Sequence, residues 1–150
     1  MRPHRLLPLL VALVAVGCAP VRDPGGDLPY CEADDFEPSD AQEDAWDMGS
    51  GGTFDLVLCS GNEDWLWGDL DNYGYIEARV SFADEEHAGV VEHWTAGGMV
   101  GTTENQSAQE FTLTSWEGGD HWFRGWLPAG SEPESVTLLV TIEDGVIIGR

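Results

Sequence analysis

The chain has 150 residues, 28 of them acidic and six basic, for a formal charge of -22. That length suffices for one domain with its own core and is too short for two. The charge excludes nonspecific binding to DNA, RNA or anionic headgroups, while 42% hydrophobic residues and seven tryptophans exclude a disordered acidic tail.

Arg2 and Arg5 precede an apolar run of eleven residues, Leu6 to Val16. Eleven helical residues cover roughly 16 Å, about half a bilayer core, the size of a signal h-region rather than a membrane span. The run ends Ala15-Val16-Gly17-Cys18. This resembles the lipobox of bacterial lipoproteins, in which a signal (here residues 1–17) is removed before the cysteine. The resemblance implies a diacylglycerol on Cys18 and an acyl chain, such as palmitate, on its freed amine. An ordinary secretory signal cleaved nearby, with Cys18 incidental, is the alternative. Two or three acyl chains anchor a protein stably where one does not. Ala19 stands where Asp would mark inner-membrane retention, so the resemblance implies an outer-membrane lipoprotein of the cell envelope, on its periplasmic or surface face. Loss of residues 1–17 leaves 28 acids against four arginines, a charge of -24.

Residues 18–29 are rich in Pro and Gly and read as a tether, with a single domain at 30–150. Ten acids and no base lie between Asp23 and Asp47. With Cys18 lipidated, Cys31 and Cys59 are an even pair in an oxidising compartment. A disulfide between them would close a loop of about 28 residues and stabilise by roughly 3–4 kcal/mol. Two free buried thiols are the alternative.

Asp40, with Glu43 three residues on, Ala41, Ala45 and Met48 at helical spacing and Gly49 as a stop, predicts one short N-terminal helical turn capped by Asp40. Period-two alternation then takes over. Phe54, Leu56 and Leu58 share a face of the strand 53–59, and a second strand covers 65–70, ended by a turn at 71–74. In 75–82, Ile76, Ala78, Val80 and Phe82 face inward. Strands 90–95 and 99–103 flank a Gly97-Gly98 hairpin turn. Strands 110–116 and 121–127 follow, then a long strand with Val136, Leu138, Val140 and Ile142 on one face, and a last short one at 146–148. Eight or nine short strands with regular turn signals predict an all-β antiparallel sandwich, jelly-roll or Ig-like. No helix is long enough for the crossover of a parallel α/β sheet.

Asp35-Phe36-Glu37-Pro38-Ser39-Asp40, then Ala45 and Met48, a strand, and Gly61-Asn62-Glu63-Asp64-Trp65 resemble the opening of the bacterial pre-peptidase C-terminal (PPC) domain. That family opens E-P-N-D, continues A-x-x-L and reaches an acidic turn followed by an aromatic strand. Asp120-His121-Trp122-Phe123-Arg124 resembles its penultimate strand and Ser135 to Ile142 its closing one, while residues 83–119 carry no family signature. The resemblance implies a small β-sandwich, appended to secreted peptidases or alone in lipoproteins, some members of which bind collagen or calcium.

Calcium takes six to eight hard oxygen ligands. Asp35, Glu37, Ser39 and Asp40 offer side-chain oxygens along one segment, Asn62 and Asp64 more from a turn, and a Cys31–Cys59 bridge would join the two. By resemblance Glu37 and Asp40 match acidic positions of calcium-binding members, Asp35 stands where they have Glu, Asn62 and Asp64 stand in their acidic turn, and Ser39 replaces an Asn. The other reading makes Asp40 a cap and the rest a solvated acidic face.

No G-x-S-x-G motif occurs, and His87, His93 and His121 form no H-x-x-x-H or H-x-H pair, so neither serine hydrolysis nor zinc is expected and no catalytic residue is assigned. His93-Trp94 and His121-Trp122 read as surface aromatic pairs. Trp65 and Trp67 read as core, and Trp94, Trp116, Trp122 and Trp126 are the candidate binding aromatics. These features predict a non-catalytic, lipid-anchored envelope module, binding an unknown protein or a polysaccharide, without nucleic acid and with calcium as the sole candidate cofactor. A carbohydrate-binding module acting through exposed Trp, or an accessory factor or inhibitor of a secreted peptidase, are the rivals.

Overall fold

A computed structural model describes residues 34–36, 39–71, 74–143 and 145. The alternating segments form nine strands: β1 (Trp46–Asp47), β2 (Gly51–Leu58), β3 (Glu63–Leu70), β4 (Tyr75–Phe82), β5 (Val90–Thr95), β6 (Gly98–Thr102), β7 (Glu110–Ser115), β8 (Gly119–Trp126) and β9 (Glu134–Glu143). They make a five-stranded sheet in the order β1-β3-β8-β5-β6 and a four-stranded sheet in the order β2-β9-β4-β7. All strand pairs are antiparallel except β1 with β3. The result is the expected all-β sandwich.

The core lies between the sheets, as the alternation dictates. Phe54, Leu56, Leu58, Ile76, Ala78, Val80, Phe82, Val136, Leu138 and Val140 come from the four-stranded sheet, and Leu66, Leu70, Val91 and Phe123 from the other. Gly125 on β8 faces this core. A Cβ there would lie 2.6 Å from Leu58 Cδ2, so only glycine allows the sheets to approach so closely at that point.

The N-terminal turn differs from the sequence expectation. A single 3-10 turn spans Gln42–Asp44 behind Ala41, without a side-chain cap, so Asp40 caps nothing. Trp46 and Asp47 pair in parallel with Leu66 and Trp67, and this extended pairing at the sheet edge ends the turn. The expected strand at 146–148, part of the turn at 71–74, the signal, the tether, Cys18, Cys31 and Glu37 lie outside the described residues.

Candidate functional site

Alternation along β3, β8 and β5 sorts their side chains onto two faces. Leu66, Leu70, Phe123 and Val91 point into the core, so Glu63, Trp65, Trp67 and Asp69, Asp120, Trp122, Arg124 and Trp126, and Glu92 and Trp94 share the outer face. Register aligns them in rows across the strands. Trp65 lies opposite Arg124, which lies opposite Glu92, and the next row runs Trp67, Trp122, Trp94 and Met99.

Arg124 locks the upper row. Its guanidinium bonds Glu63 on one side and Glu92 Oε2 on the other at 3.2 Å, so one arginine on β8 ties β3 to β5. Glu92 is almost fully buried and also accepts the indole N–H groups of Trp94 (2.8 Å) and Trp126 (3.2 Å), while Glu63 accepts that of Trp65 (3.1 Å). The guanidinium carbon is 5.6 Å from the ring centroids of both Trp65 and Trp126, a cation–π contact on each. Its hydrogen bond to Arg124 holds the Glu63 carboxyl below the usual carboxylate range.

The lower row has no such filling. Trp67 donates its indole N–H to Asp120 Oδ1 at 3.0 Å, and Met99 at the end of the row is 48% exposed. A register shift between His93 and Trp94 leaves Val100 exposed beside it. Four strands spaced by about 4.8 Å make this row roughly 14 Å across. Below it, the exposed Asp69 and Asp120 stand directly opposite each other. Arg79 and Arg124 are the only basic side chains among the described residues, and neither lies on this row.

Three of the candidate aromatics, Trp94, Trp122 and Trp126, therefore meet on one face. Trp116 does not join them: it is 72% exposed and packs at a tilt against Tyr75, ring centroids 4.5 Å apart. Trp65 and Trp67, expected in the core, belong to the outer face. Trp65 is buried there beneath Arg124, and Trp67 is half-buried, because Leu66 and Leu70 take the inward positions of β3. The sequence carries a sign of this arrangement, since Glu63-x-Trp65, Glu92-x-Trp94 and Asp120-x-Trp122 each put an acid on the same side of a strand as the indole.

The histidines also differ from expectation. His93 and His121 are on the inward side and fully buried, with His93 Nε2 2.9 Å from His121 Nδ1 and His121 Nε2 2.7 Å from the Glu117 carbonyl. Burial first, and the neighbouring His121 second, push the His93 imidazole down to about 4. Each His–Trp dipeptide thus splits across the sheet rather than forming a surface pair. A buried pair of this kind braces β5 against β8.

Of the expected calcium ligands, Asp35 and Asp40 are exposed, Asn62 is half-buried and Ser39 and Asp64 are buried. The two acidic segments do meet: the Trp65 N–H donates to the Ser39 carbonyl at 3.0 Å, beside Asp64. The buried Ser39 hydroxyl has no hydrogen-bond partner among the described residues, so this oxygen-rich junction fits a hard cation. Among the described residues, however, no three or more His, Cys, Asp or Glu side chains group as metal ligands. Cys59 is buried just beyond β2.

The fold is similar to the pre-peptidase C-terminal domain of a collagenase from Bacillus anthracis, with a TM-score of 0.51 and 13% identity over 65% of this chain and 94% of that one. The fold class is thus PPC-like, as the sequence motifs imply. A likeness at a TM-score of 0.43 and 12% identity extends to Aeromonas hydrophila PliG, a periplasmic lysozyme inhibitor of g-type lysozyme, over 66% of this chain and 96% of that one. The sequence matches no protein-family model and no curated protein.

Proposed function

We propose that the protein is a non-catalytic binding module of the bacterial cell envelope, held at the outer membrane by lipid on Cys18 and recognising a protein or polysaccharide through the outer face of its five-stranded sheet. The row Trp67, Trp122, Trp94 and Met99 carries this reading. These side chains add nothing to the core between the sheets, yet their register holds them in line, and carboxylates hold two of the indoles. Indoles arranged in this way give a rigid stacking surface for sugar rings or for side chains of a partner.

The test is retention of the mature lipoprotein on fractionated envelope protein and on envelope polysaccharide. Trp94→Ala with Trp122→Ala should weaken retention about tenfold or more with the melting temperature little changed. Retention unaltered by both substitutions would remove the assignment of this face.

The meeting of Ser39 with the Asp64 strand supports a second element of the proposal, a calcium ion held by Asp35, Glu37, Ser39, Asp40, Asn62 and Asp64, with a Cys31–Cys59 disulfide joining the segments. Millimolar calcium should then raise the melting temperature by several degrees, and Asp40→Ala with Asp64→Ala should abolish the rise. Identical melting in EDTA and in calcium argues against the ion.

A further inference from the structure

We infer that the occupant of the lower tryptophan row is a basic polypeptide segment, its Arg or Lys side chains seated on Trp67, Trp122 and Trp94. This deepens the functional reading above and rests on it. The upper row is the internal precedent. There the protein's own guanidinium lies against Trp65 and Trp126 while Glu63 and Glu92 hold its two terminal nitrogens and the indole N–H groups. The lower row repeats the parts without the cation: Trp67 is tied to the Asp120 carboxylate and Trp94 to Glu92, with Asp69 alongside.

The Asp69–Asp120 pair supplies a second reason. Like charges directly opposite on neighbouring strands repel, and among the described residues no cation on this row relieves them. A cation over the neighbouring indoles would lower that repulsion, whereas a neutral sugar ring would leave it. The third reason is long-range. A chain of 28 acids and six bases attracts positively charged partners and repels anionic polysaccharides before contact. Aromatic faces then select among the cations attracted, since guanidinium and ammonium groups both gain from an indole face.

The test titrates the full mature lipoprotein, at physiological salt, with an arginine-rich peptide of about ten residues, its citrulline counterpart and a neutral oligosaccharide such as maltoheptaose. Wild type should bind the arginine peptide and not the other two. Trp67→Ala with Trp122→Ala should weaken that binding about tenfold, the scale of one or two cation–π contacts. Asp69→Asn with Asp120→Asn should weaken it severalfold. Asp84→Asn with Glu85→Gln and Glu86→Gln, which removes three exposed charges from the loop at the other end of β5, should change it less than twofold. An equal loss in this last variant would reduce the effect to diffuse attraction and overturn the inference. Oligosaccharide binding that needs Trp67 and Trp122, without peptide binding, would overturn the basic occupant and keep the face. Failure of every probe to depend on these tryptophans would overturn both. If the tryptophan variants do not fold, indole N–H resonances of the unaltered protein serve instead. Shifts at Trp67 and Trp122 support the inference, and shifts confined to Trp46 and Trp116 overturn it.

Discussion

The two sheets share one core and expose opposite chemistries. Outward positions of the four-stranded sheet hold mainly polar residues, Thr53, Asp55, Thr112, Thr114, Ser135, Thr137 and Thr141, with Val57 and an exposed Leu139, around a single Arg79–Glu77 pair. The same positions in the five-stranded sheet hold five indoles around a wedged arginine. Both faces satisfy the period-two rule, and both back onto the same hydrocarbon, so folding alone does not account for the difference. A small sandwich needs one solvated outer face of the first kind. Tryptophans on the second raise solubility and aggregation costs that the proposed binding role would offset.

The contrast breaks hardest at its arginines. Arg124→Met would leave the buried Glu92 and the neighbouring Glu63 without a counter-charge, and urea denaturation should show a loss of about 3 kcal/mol or more. Arg79→Met, at a side chain 66% exposed, should cost under about 1 kcal/mol. Similar losses in the two variants would mean that Arg124 is not a structural lock.

The inner surfaces also differ, because the five-stranded sheet buries two histidines and the four-stranded sheet buries none among the described residues. With His93 held near 4 against an ordinary 6.5, the unfolded chain binds more protons across that window. Stability from its neutral burial is therefore complete above pH 6.5 and is lost as pH falls towards 4, by about 3 kcal/mol. Urea midpoints measured through this range should fall in wild type and flatten in His93→Gln. An unchanged slope in the variant would assign the acid sensitivity elsewhere.

The smallest effect belongs to the polar face. Thr137 donates to Asp55 across β9 and β2 at 2.6 Å, in an exposed setting. Thr137→Val should cost about 0.5–1 kcal/mol and leave ligand retention untouched. A loss of retention there would erase the distinction between the two faces.

Much of this fold is legible in the residues themselves. Ile76, Ala78, Val80 and Phe82 alternate with polar neighbours, so their inward direction follows from period two alone. In β3 the pattern is ambiguous, because Glu63-Asp64-Trp65-Leu66-Trp67-Gly68-Asp69-Leu70 offers an apolar stripe on either parity. Tryptophan looks like the stronger core former, yet Leu66 and Leu70 take the core and carry Asp64 inward with them. In β8 the arginine between Trp122 and Trp126 marks the outward parity, a local clue to the proposed binding face. Which tryptophans gather depends on β3, β8 and β5 becoming neighbours, a long-range pairing that no local window contains. The same holds for the histidine pair, whose members stand 28 positions apart.

The strand order has a kinetic consequence. Among the nine described strands only β5 and β6 pair with a neighbour in sequence; β3 waits for β8, and β2 for β9 at the far end of the domain. Such long loops must close before any contact between those strands is made, so this chain forms its native pairs slowly and cannot complete either sheet until its last strands are available. For the exported lipoprotein proposed above, that delay is an asset: the topology keeps the chain open through the period in which it must be threaded.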